Sequence, residues 1–261
     1  MAQCSGILDE DIEEFEALFG LPLELPDGWP AWLQLVMMGH DAWSYLLYDW
    51  QLWGRVPSWK FFDWDFVGWE CDTCLQWYGQ RFLGCSFDRV EAQVLQMDGG
   101  EFCCQVYQSK LKSLWFNYVD ADDSSFHNTD LQKASFWNSP MKEARFEGCD
   151  LRQAEFIEDY LCCARFVSCD LSGVCFKDCG LIASEFRDCK LSGATFERCD
   201  LNRARLHGCD LSGATFRRCL MTGLRAEGLL NQPGRMKIEM LLQRLIGARA
   251  ARALGRGTRH G

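Results

Sequence analysis

Histidine is scarce in this chain. Its 261 residues include only four, His40, His127, His207 and His260, and they lie far apart. That spacing offers no His-rich metal motif and no histidine beside a nucleophile. No glycine-rich phosphate loop and no nucleophile-elbow sequence is present either. Together these absences argue against an enzyme and predict no cofactor. No apolar run approaches the roughly 20 residues that a membrane-spanning helix needs. Met1 to Glu10 has no basic stretch leading into an apolar core, so no export signal is expected there. Without one, the 16 cysteines read as free thiols in a reducing, cytoplasmic setting, where buried cysteine acts as a small hydrophobe.

Charge is unevenly distributed. Residues 1–125 carry a net −15, residues 126–225 are neutral, and residues 226–261 carry +5. The chain divides accordingly into an acidic head over 1–79, a repeat region over 80–225, and a basic tail over 226–261.

The repeat is the strongest feature. Every fifth residue from Phe126 to Met221, twenty positions in all, is large and apolar, although apolar residues make up only 48% of the chain. Two residues before each stands a residue that is small in nearly every case; Ala144, Cys149, Ala154, Asp159 and Ala164 begin that series. A period of five fits neither the 3.6 of a helix nor the 2.0 of a strand. It fits a chain that takes a short extended step, turns a corner, and repeats. Phe mostly follows an Ala-type unit and Leu a Cys-type unit, so opposite faces of a four-sided coil would match. Four units then make a coil of 20 residues, with coils stacked at about 4.8 Å. Twenty units give five coils.

Cys149-Asp150-Leu151, Cys169-Asp170-Leu171, Cys199-Asp200-Leu201 and Cys209-Asp210-Leu211 resemble the pentapeptide-repeat family. The resemblance covers at least residues 124–223. It implies an all-β solenoid, a right-handed quadrilateral β-helix. The stretch from Cys209 to Phe216 is similar to repeats of the quinolone-resistance members. Glu239 to Gly247 is similar to their C-terminal helix, which joins two rods into a dimer. On that likeness the expected role is a non-enzymatic protein that engages DNA gyrase or topoisomerase IV and modulates it or protects it from inhibitors such as quinolones. The alternative is an interaction scaffold or secreted effector that uses the β-helix as a docking surface. Neither reading needs direct nucleic-acid binding.

Upstream, Phe82, Phe87, Ala92, Met97, Phe102 and Tyr107 are also five apart, but out of phase with Phe126. An irregular coil or a loop near 108–123 would reconcile the two series. In the head, Leu8–Phe19 and Ala31–Trp50 read as amphipathic helices, followed by an aromatic-rich stretch. The tail reads as one more helix, with Ile238, Leu241, Leu242 and Leu245 as its dimer contact.

Two surface sites stand out. Asp130, Asp150, Asp170 and Asp210, interrupted by Lys190, would form an acidic column. Its functional reading is a partner site that imitates DNA phosphates; its plain reading is Asp bonding local backbone at corners. Trp137, Ile157, Tyr160 and Ile182, with Cys162 and Val167, form an outward apolar patch of the kind that marks partner sites. The one metal candidate is the weak pair Cys71 and Cys74. In the four-sided coil, Cys149, Cys169, Cys189 and Cys209 form one packing column, and Cys179, Cys199 and Cys219 another.

Overall fold

The computed structural model describes residues 60–62, 65–67 and 70–230. The helices expected at Leu8–Phe19, Ala31–Trp50 and in the tail, and the dimer contact at Ile238, Leu241, Leu242 and Leu245, lie outside the described residues.

Eighteen strands are described. The first seven are β1 (Lys60–Phe62), β2 (Asp65–Val67), β3 (Glu70–Tyr78), β4 (Arg81–Asp88), β5 (Glu91–Asp98), β6 (Glu101–Tyr107) and β7 (Leu114–Asn117). Three-residue strands then follow at ten-residue intervals, from β8 (Ser125–His127) to β18 (Arg225–Glu227). Even-numbered strands from β4 onward pair in parallel to form one sheet, with β1 and β2 at its edge. Odd-numbered strands from β3 form the other. From β8 on, the register is a constant 20 residues, as in Phe146 beside Phe126 and Phe166. The result is a β-solenoid of about seven turns. Between the two sheets run two narrower faces. They are linked only by single bridges, such as Asp130 to Asp150 and Tyr160 to Gly180.

The corners explain the period of five. The second residue after each large apolar one sits in the left-handed region, as at Asn128 (φ 49°), Asn138 (φ 47°) and Asp178 (φ 57°). That conformation is costly for most side chains but tolerable for Asn and Asp. It turns the chain while keeping its N–H bonded to the next coil, as in Asn128 N to Glu147 O at 2.8 Å. Each corner therefore costs backbone strain and recovers a hydrogen bond.

The interior follows the Phe/Leu alternation. Phe126, Phe146, Phe166 and Phe186 stack at 4.8–5.0 Å behind the first sheet. Phe136, Phe156, Phe176, Phe196 and Phe216 stack at 4.7–5.0 Å behind the second. The two columns meet edge to face at about 6 Å, as for Phe156 and Phe166 (88°), a favourable geometry for ring quadrupoles. Leucines and methionines fill the narrower faces and are buried with them.

The bounds of the β-structure depart from expectation in two ways. Strands begin at Lys60, so β-structure starts ahead of residue 80, and bridging continues to Leu230, beyond residue 225. The two phases meet through an irregular coil, the first of the two expected alternatives, and not through a loop at 108–123. Phe102 and Val106 are both buried, so a single four-residue step inside β6 shifts the series. Tyr107 consequently turns outward and stacks on His127 at 5.1 Å.

A candidate protein-docking face

From β9 on, the central side chain of each three-residue strand points inward and its two neighbours point out. On the second sheet, β7 presents Trp115 and Asn117, β9 (Ser135–Trp137) presents Ser135 and Trp137, and β11 (Glu155–Ile157) presents Glu155 and Ile157. Register sets Trp115 and Glu155 on either side of Ser135, and Asn117 and Ile157 on either side of Trp137. The small Ser135 leaves a groove of about 650 Å³, lined by the apolar Trp115, Trp137 and Ile157 and by the polar Gln96, Asn117, Lys133, Gln153 and Glu155. At its corner Tyr118 lies 5.0 Å from Trp137, tilted 58°. Exposure is 45% for Trp115, 54% for Tyr118 and 40% for Trp137. On the adjoining face Tyr160 is 61% exposed and Ile182 also projects. Tyr160 is bridged to Pro140 and Gly180, and Cys162 Sγ reaches Gly180 O at 3.8 Å.

Of the residues expected in the patch, Trp137 and Ile157 share the groove, and Tyr160, Cys162 and Ile182 lie around the corner. Val167 does not join them. It pairs with Glu147 and Arg187 in the first sheet, on the opposite side of the rod. Trp115 and Tyr118 escape a reading of the sequence because they precede the regular repeats. The series Leu111, Phe116, Ala121, Phe126 would have placed them.

The aspartates do form a column, running from Lys110 through Asp130, Asp150, Asp170 and Lys190 to Asp210. Each is engaged locally. Oδ1 accepts the N–H two residues on, at 3.2 Å from Gln132, 3.2 Å from Arg152, 3.1 Å from Ser172 and 3.0 Å from Ser212. Three also hold cations: Lys112 on Asp130 at 3.3 Å, Arg152 on Asp150 at 2.6 Å and Lys190 on Asp170 at 3.2 Å. Burial works against ionisation of Asp150, yet the Arg152 guanidinium and backbone N–H outweigh it and hold the carboxyl below its ordinary range. These side chains close turns, and three of the four pair with a cation on the rod.

The cysteine columns are hydrogen-bonded as well as packed. Cys149, Cys169, Cys189 and Cys209 send Sγ to the carbonyls of Phe126, Phe146, Phe166 and Phe186 at 3.2–3.4 Å. Hydrogen bonding to the preceding thiol, together with burial, pushes Cys169 and Cys189 up to about 12. None of the thirteen cysteines from Cys85 to Cys219 is in a disulfide. No group of three or more His, Cys, Asp or Glu among the described residues could hold a metal ion. Cys71 and Cys74 belong to β3, and a register shift against β5 falls between them. In a thiol-titration experiment, native protein should label rapidly at exposed Cys163 and slowly at the column cysteines. Unfolding without reductant should expose all 16 cysteines of the chain as thiols; disulfides among the column cysteines would refute the packing role.

Residues 141–178 match the model for pentapeptide repeats in eight copies, and residues 160–228 match the model for a pentapeptide repeat region. Residues 141–228 are pentapeptide repeats. Among solved structures, the pentapeptide-repeat rod is similar to full-length QnrB1, a plasmid-mediated fluoroquinolone resistance protein. Identity is 18% over 71% of this chain and 99% of that chain, with a TM-score of 0.33. A trypsin-treated QnrB1 variant aligns at 16% identity over 71% and 97%, TM-score 0.37. HetL, involved in heterocyst differentiation regulation in the cyanobacterium Nostoc sp. strain PCC 7120, aligns at 14% over 64% and 88%, TM-score 0.28. No curated protein matches the chain.

Proposed function

We propose that this chain is a non-enzymatic binding protein that docks a protein partner on the aromatic groove of its second sheet. The observation that carries this reading is the clustering of three exposed aromatic rings, Trp115, Tyr118 and Trp137, on one rigid face. Clustered exposed apolar surface marks interaction sites, and Trp and Tyr dominate binding energy where they are buried by a partner. Hydrogen bonds between successive coils hold the backbone beneath them, so little ordering entropy is lost on docking.

The partner we assign is DNA gyrase or topoisomerase IV, the class implied by the resemblance of the repeats, with modulation or protection from inhibitors such as quinolones as the consequence. The engaged state of Asp130, Asp150, Asp170 and Asp210 favours contact through the aromatic groove over charge mimicry by that column. Purified protein should alter gyrase supercoiling at near-stoichiometric amounts. The double variant Trp115→Ala, Trp137→Ala should need about 10–100 times more protein, the size expected for losing central aromatic anchors. Its melting point should change little, because both rings are exposed. Asp150→Lys, Asp170→Lys should retain most of the effect. If the aspartate variant loses the effect and the tryptophan variant keeps it, docking belongs to the acidic column. If both enzymes ignore the intact protein, the topoisomerase assignment falls and the scaffold reading replaces it.

A further inference from the structure

One column of inward residues lies under the corner that joins the second sheet to the Tyr160 face. It reads Val119, Ser139, Asp159, Cys179, Cys199, Cys219, one residue per coil. From Ser139 onward, every member except Asp159 has two carbonyls within reach of its single O–H or S–H donor. Cys179 Sγ reaches Phe156 O at 3.1 Å and Lys177 O at 3.3 Å. Cys199 and Cys219 repeat this one and two coils on. Ser139 Oγ reaches Phe116 O at 3.4 Å and Trp137 O at 3.1 Å. The repeat has thus built a site for a donor.

An ionised carboxylate can only accept. Asp159 is 1% exposed. Its Oδ1 accepts the Ser139 N–H at 2.7 Å, and its Oδ2 is buried with no hydrogen-bond partner. By the register of the column, the carbonyls that would receive its proton are those of Phe136 and Ile157. As a neutral acid Asp159 does what its column mates do. As an anion it sets a buried charge against carbonyl oxygens, a state that costs far more than a lost hydrogen bond. Burial, the dominant cause, pushes this carboxyl up to about 8, against the pull of backbone hydrogen bonds from Ser139 and Ile157; Glu158 adds to the rise.

The column also anchors the docking face. Val119 N–H binds Ser139 Oγ at 3.1 Å, directly after Tyr118. Ser139 holds the Trp137 carbonyl and passes its own N–H to Asp159, which stands between Ile157 and Tyr160. The ionisable groups near Asp159 are Glu158 and Tyr160 on its own turn and Asp178 and Cys179 on the next. Asp178 is taken by Arg198 at 2.6 and 2.7 Å, and Cys179 by its two carbonyls. On the preceding turn the facing residues, Asn138, Ser139 and Pro140, carry no charge.

We propose that Asp159 is a proton-gated latch beneath the docking face: neutral, it holds the corner of Trp137 and Tyr160 closed; ionised, it releases that corner and weakens docking. The docking half rests on the function proposed above; the latch itself does not. Hydrogen exchange on the full chain separates them. After correction for intrinsic rates, protection of segment 137–160 should fall by ten- to a hundredfold between pH 5.5 and 7.5, because opening linked to one proton gains up to tenfold per pH unit. Asp159→Asn and Asp159→Ser should be flat over the same range, while segments around Phe196 stay unchanged in all three proteins. Gyrase affinity should weaken for the wild type as the pH rises through about 8 and hold for the variants. A flat wild-type profile, or an equal fall in either variant, overturns the latch. A steep wild-type profile in a protein whose binding ignores Trp115→Ala, Trp137→Ala keeps the latch and removes the docking face.

Discussion

Replacing Phe166 with Ala lowers the free energy of unfolding by about 3–5 kcal/mol, the range for deleting a fully buried aromatic ring. The ring stacks at 4.8 Å on both Phe146 and Phe186. It meets Phe156 and Phe176 edge-on at 6.1 and 6.0 Å. All four neighbours belong to coils locked in register by interstrand bonds, so they cannot move in to fill the space. A solenoid coil also touches only its neighbours, and no distant element can compensate. Urea unfolding followed by far-ultraviolet circular dichroism reads the change directly. A loss under about 1 kcal/mol would mean that the ring is not at the centre of the stack. Leu206→Ala should cost less, about 2–4 kcal/mol, since a smaller side chain is removed.

Raising the pH from about 4 to about 8 destabilises the protein, against the usual trend for carboxylates. The folded Asp159 carboxyl is raised to about 8 from an ordinary value of 3.8. Between those values the native state holds a proton that the unfolded chain has released, so stability falls as pH rises. The contribution is fully present below about pH 4 and gone above about pH 8. Integrated over that window it amounts to roughly 6 kcal/mol, since one proton of difference between the two states changes stability by about 1.4 kcal/mol for each pH step of one. Carboxylates perturbed the other way do not mask it. Asp150, Asp170 and Asp178 are held below their ordinary range by hydrogen-bonded and cationic partners, so they titrate below the window. Asp159→Cys, which restores the donor found in the next three coils, should remove most of the slope, leaving the smaller part due to Asp122, whose carboxyl burial also raises, and should raise stability at pH 7.5. Urea melts at pH 5 and 7.5 on both proteins decide it. Parallel slopes would show that another group carries the pH dependence.

The coil was legible because its inward residues repeat. Phe126, Leu131, Phe136 and Met141 mark four successive faces, and the Phe/Leu alternation assigned rings to two of them before any pairing was known. The thiol columns were legible for the same reason, although their hydrogen bonds to the Phe carbonyls were not. Upstream, the series through Phe82, Phe87 and Phe102 was visible, but the single short step to Val106 was not. One residue fewer between corners leaves a faint mark in a sequence and rotates everything before it.

The candidate site divides along the same line. Trp137, Ile157, Tyr160 and Ile182 were identifiable as outward and apolar. That Trp115 and Tyr118 join them, and that Val167 faces the other way, depends on lateral register. Asp130, Asp150, Asp170 and Asp210 were identifiable as a column, whereas their bonds to the following N–H groups and to Lys112, Arg152 and Lys190 required coordinates. Asp159 stood in the small-residue series as one irregular letter.

The sequence by itself determined the repeat length, the identity of the core and the stacking of like residues, because each inward side chain answers to the same local geometry every five residues. Only the tertiary structure decided which outward residues share a face and which polar groups find partners. Those outcomes depend on contacts about twenty residues apart, where a slip of one position moves a side chain to another face and leaves a carboxyl such as Asp159 among carbonyls.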